Sequence, residues 1–133
     1  MIDVEIPVFA TVEKELQLRH PGIFFTGEKL HAPPSLPAAS LIEMSNTTYK
    51  RSLDESASEH HAIIMYEVES YSNRQTGKKS EAKAIMNVID EVMLSLNFTR
   101  SLLHPVSNEQ PGIARYIARY TAVVSEAFEL YRS

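Results

Sequence analysis

No cysteine occurs anywhere in the chain, which excludes disulfides and thiolate metal sites and fits a reducing cytoplasm. No apolar run approaches the roughly 18 residues that a membrane-spanning helix needs. The N-terminus has neither a basic segment nor a long apolar stretch, so it does not read as a signal peptide. Positive charge is short: 13 Lys and Arg face 17 Asp and Glu, for a net charge of −4. An acidic chain has little with which to grip nucleic-acid phosphates. With four glycines, none in a rich loop opening a helix, no phosphate cradle is present. GxSxG and HExxH are also missing, so neither a serine elbow nor a zinc-protease helix can be assembled. The residues point to no catalytic, cofactor or metal site.

What remains is enough for one core. The 133 residues are 44% hydrophobic, the size and content of one domain spanning 1–133. Its best-defined stretch runs from 62 to 98. Ala62, Ile64, Tyr66 and Val68 alternate with Ile63, Met65, Glu67, Glu69 and Tyr71, predicting a strand with one dry face and one that turns acidic. Ser72, Asn73, Thr76 and Gly77 end it. Ala82, Ile85, Met86, Ile89, Val92, Met93 and Leu96 then recur at spacings of three and four, predicting a helix near 78–96. Asn97 fits a left-handed closing residue, with Phe98 packing back.

Upstream, Phe9, Val12 and Leu16 predict a helix starting near Ile6, with Pro7 in its first turn and His20-Pro21-Gly22 as its stop. Ile23–Thr26 reads as a short strand, resuming over Lys29–His31. Pro33–Pro37 reads as a redirecting loop, and Ala38–Met44 as a strand with Ala39, Leu41 and Glu43 on one face. Asn46–His61 is polar and has little to bury: either a solvated connector or an arm that orders against a partner. His60 and His61, with Asp54, Glu55 and Glu59 nearby, lack metal-ligand spacing, and a solvated loop is the plainer reading. Downstream, Thr99–His104 is expected as a strand ended by Pro105, and Asn108–Gly112 as a turn. Ile113–Val124 stays ambiguous: helical spacing aligns Ile113, Tyr116, Ile117, Tyr120 and Val124, while β-branched and aromatic content favours a strand. If it is a strand, Arg115 and Arg119 share a face and can neutralise Glu67 and Glu69, across the sheet or across a subunit boundary. Glu67 and Glu69 themselves read as a solvated or subunit-facing edge.

Several segments in order carry a resemblance. Tyr66–Asn73, Gly77-Lys78-Lys79, Ala84-Ile85-Met86, Asp90-Glu91, Met93 and Phe98-Thr99-Arg100 are followed by Pro105-Val106, Asn108, Arg115, Arg119-Tyr120 and Val123-Val124. Together, and with Leu16, Pro21-Gly22, Pro37 and Asn46 upstream, they resemble the tail terminator or tail-to-head joining proteins in the neck of long-tailed bacteriophages. The likeness spans about Phe9 to Tyr131. It implies an α+β fold, a mostly antiparallel sheet with helices packed on it, and favours the strand reading of Ile113–Val124 with a short return through Leu130–Arg132. It further implies a non-enzymatic virion protein made in the host cytoplasm: a homohexameric ring that caps the tail tube, meets the head connector or stopper, and lets DNA pass without tight binding. On that reading Asp54, Glu55, Glu59, Glu67, Glu69, Arg115 and Arg119 are expected at subunit or partner interfaces. Two other roles stay open: a head-side stopper or adaptor of the same neck, and an unrelated small-molecule-binding α+β domain.

Overall fold

The computed structural model describes residues 1–29, 32–48, 61–107 and 111–132. The elements are α1 (Glu5–Arg19), β1 (Phe24–Thr26), β2 (Ala38–Thr48), β3 (His61–Ser72), α2 (Lys78–Ser95), β4 (Thr99–Val106), β5 (Ala114–Ser125) and β6 (Leu130–Arg132). They form one α+β domain. The strand order is β1-β2-β3-β5-β4, with β6 pairing the far end of β5. All pairings are antiparallel except β1 with β2.

The dry face of β3 organises the core. Ala62, Ile64, Tyr66 and Val68 are fully buried, and so are their register partners Val124, Ala122, Tyr120 and Ala118 on β5. Both helices lie on this face. Helix α2 contributes the expected stripe, plus Val88, and Leu96 packs at its edge. Gly77 precedes it at φ 81°, a conformation that favours glycine. Asn97 closes it at φ 69°, and Phe98 meets the Tyr66 ring edge-on at 5.5 Å. Ser70 Oγ donates to the Ala82 carbonyl and Ser72 Oγ to Glu81, tying the start of α2 to β3.

Helix α1 differs from its expected face by one residue. Val8, Val12 and Leu16 are buried, whereas Phe9 is partly exposed and stacks on Phe25 at 4.6 Å. Val8 and Phe9 lie about 100° apart on a helix, so an apolar pair there leaves the facing residue undecided. Arg19 pairs with Glu91 at 2.8 Å, linking α1 to α2.

Strand β2 runs past Met44 to Thr48, with a register shift between Glu43 and Ser45 that turns Met44 outward. Asn46, read from the sequence as the start of the polar connector, is inside the strand and donates to the Ile2 carbonyl at 2.6 Å. Thr48 pairs with Ala62, so β2 and β3 form a hairpin; the rest of the connector, including Asp54, Glu55 and Glu59, lies outside the described residues. Strand β1 ends at Thr26; of the expected resumption over Lys29–His31, Lys29 is not in a strand, and Leu30 and His31 lie outside the described residues. Strand β4 continues through Pro105 instead of stopping before it. It is an edge strand, where a missing N–H breaks no ladder bond. Ile113–Val124 resolves as strand, β5, with β6 as the short return.

Candidate functional site

Among the described residues, the opposite face of the sheet carries no helix. Its register brings together Ile42 of β2, Ile63, Met65, Glu67, Glu69 and Tyr71 of β3, and Arg115, Ile117, Arg119 and Val123 of β5. Leu102 and His104 of β4 extend it. The apolar members are half-buried, leaving a mixed surface with charges at its centre.

Two ion pairs run across β3 and β5. Glu67 stands opposite Arg119, whose Nε donates to its carboxylate at 2.9 Å. Arg115 stands opposite Tyr71 and reaches diagonally to Glu69, its Nη2 donating at 2.5 Å. The Tyr71 hydroxyl donates to the other Glu69 oxygen, and the Arg115 guanidinium lies 5.6 Å from the centre of the Tyr71 ring. Burial, and then the bond to Glu69, hold the Tyr71 phenol well above the usual tyrosine value.

The two carboxylates are not the solvated sheet edge that their alternation suggests. Glu67 is 7% exposed and Glu69 3%. Strand β3 is interior, flanked by β2 and β5, so its acidic face must be neutralised locally. Of the two pairings open from the sequence, the one across the sheet is formed within the chain. Tyr71 was recognised as a face-mate of the glutamates but not as a ligand to one of them. Its partner Arg115 lies 44 positions further on, and only the register between β3 and β5 brings them together.

This arrangement makes a stiff, electrically balanced platform. Both carboxylates are engaged by bases. Among the described residues no grouping of His, Asp or Glu is suited to a metal ion. A second polar link sits under α2: Tyr120 donates to Asp90 at 2.7 Å, and Arg100 donates to the same oxygen at 3.0 Å. It fastens α2 to β4 and β5. No helix among the described residues is long and apolar enough to cross a membrane. In comparisons with known proteins the chain matches no family model and no curated protein.

Proposed function

We propose that the chain is a structural subunit of the neck of a long-tailed bacteriophage virion, forming a homohexameric ring that caps the tail tube and joins it to the head connector. The observation carrying this reading is the sheet face that no helix among the described residues covers: half-buried apolar side chains surround charges already neutralised inside the subunit. Such a face can be covered by another protein without leaving a naked charge behind. The outer edge of β2 adds support. Strand β1 pairs only with Ala38–Ser40, so past Ser40 no strand covers that edge among the described residues. Uncovered edges and repeated faces are the material from which closed rings are made. The order of sequence segments that resembles tail terminators gives the assembly its identity. Asp54, Glu55 and Glu59 are then contacts of the β2–β3 arm with neighbouring proteins, and the platform around Glu67, Glu69, Arg115 and Arg119 is seated at a boundary.

Light scattering of the purified protein, with negative-stain electron microscopy, tests this reading. A six-subunit ring is the expected result, and added tail tubes should acquire a cap at one end. A monomer at every concentration, with no binding to tubes, overturns it.

A further inference from the structure

Ahead of α1 the chain forms a strip with two sides. Ile2 and Val4 are buried and belong to the core, while Asp3 and Glu5 are exposed. Two side chains of β2 tie this strip down. Asn46 donates to the Ile2 carbonyl at 2.6 Å, and Glu43 is bonded through its side chain to Glu5. The strip runs straight into α1: the Glu5 amide donates to Asp3 Oδ1 at 3.0 Å, and the Val8 amide to the Val4 carbonyl at 3.0 Å.

The bond between Glu5 and Glu43 has a chemical condition. Ionised carboxylates are acceptors only, so the two can bond each other only while one of them keeps a hydrogen. The groups facing Glu43 among the described residues are Asp3 ahead of α1, Glu5 on α1 and Tyr66 on β3, none of them cationic. Glu43 Oε1 is buried without a hydrogen-bond partner, so nothing solvates a charge placed on it.

We propose that residues 1–5 are a proton-operated strap, seated on β2 while Glu5 and Glu43 share a hydrogen and lifted when that hydrogen is lost. Without it, the carboxylates of Asp3, Glu5 and Glu43 stand together with no cation among them. Two of the three are on the strap, so lifting it separates the like charges. Lifting also takes Ile2 and Val4 out of the core and widens the small apolar cleft that Val4 lines with Pro7, Val8, Leu96 and Leu130. Burial first, then the charges of Glu5 and Asp3, push the seated Glu43 carboxyl up to about 7, and in the lifted form it returns to its ordinary 4.5. The seated form binds the extra proton. It therefore prevails at low pH, gives way as pH rises from about 4.5 to about 7, and weakens little further above that. This assignment is independent of the ring reading.

Hydrogen exchange of the full chain, corrected for the intrinsic effect of pH on exchange, is the test. Peptides covering residues 1–9 should lose about seventyfold in protection between about pH 5 and about pH 8. The loss should come from local opening: these peptides stay less protected than β3, and urea too dilute to unfold the domain leaves their exchange unchanged. Glu43→Gln offers Glu5 a donor at every pH, so the strap should stay protected at about pH 8 and the pH dependence should vanish. Glu5→Gln, at an exposed position, offers the same donor from the strap and should cut the dependence below about tenfold, which keeps the test open if Glu43→Gln does not fold. Asn46→Ala should lower protection at both pH values and leave the dependence in place. A pH dependence that survives in the folded glutamine variants overturns the proposal. So does a strap that matches β3 in protection and urea response at every pH, because it then opens only with the whole domain.

Discussion

Glu67 and Glu69 are two positions apart on one strand face, yet their arginines are differently placed. The Arg119 side chain is 42% exposed, whereas that of Arg115 is 25% exposed and its partner Glu69 only 4%. A pair open to water contributes little, and a buried carboxylate stripped of its base is costly. Arg119→Ala, which strips the base from a Glu67 side chain only 10% exposed, should therefore lower stability by about 1–3 kcal/mol, and Arg115→Ala, whose own side chain is also the more buried, by about 2–4 kcal/mol, read from urea denaturation. Equal losses would show that Tyr71 alone sustains Glu69. The Glu43 carboxyl makes the other residue-scale statement. Its folded value near 7 lies above the ordinary 4.5, so between these limits the folded chain holds a proton that the unfolded chain has released. Stability should then fall as pH rises from about 4.5 to about 7, and Glu43→Gln should flatten that slope in melting temperature against pH. A variant with the same slope as the parent would put the titration elsewhere.

Among the elements, α2 was the most legible and β5 the least. Helix α2 has one apolar stripe against one charged side, a pattern that only a helix on a core satisfies. Ile89 lies at the centre of that stripe and is fully buried. Ile89→Asp should cost about 4 kcal/mol or more and unfold the domain, and near-parental melting by circular dichroism would contradict its placement. Strand β5 satisfies two periods at once, because Tyr116 and Tyr120 are four apart and both are buried. Spacing by four is common to a helix face and to every second pair on a strand, so periodicity could not decide, and β-branched content was the better guide. The same limit explains the misplaced acidic edge. A strand with Glu67 and Glu69 on one side reads as peripheral until the arginines are known to stand beside it. Strand order is a long-range property, and alternation within one strand carries no information about it.

For the whole molecule, charge balance is the governing quantity. The chain is net acidic, and four of its bases, Arg19, Arg100, Arg115 and Arg119, are engaged by carboxylates of the same chain. The remaining bases are still outweighed by the chain's 17 carboxylates, so no net positive charge is available to hold phosphates. In a DNA shift assay at physiological salt, binding should be weaker than the roughly 10⁻⁴ to 10⁻⁶ M of nonspecific binders, and micromolar affinity with a steep salt slope would contradict this balance. The sheet order has a consequence for how the molecule comes into being. The central strand β3 takes one neighbour from the chain before it and the other, β5, from beyond a helix and a further strand. During synthesis the β2–β3 hairpin emerges first, with Glu67 and Glu69 still lacking their arginines. Unpaired carboxylates on that face should disfavour its pairing with other nascent chains until Arg115 and Arg119 arrive and the sheet closes.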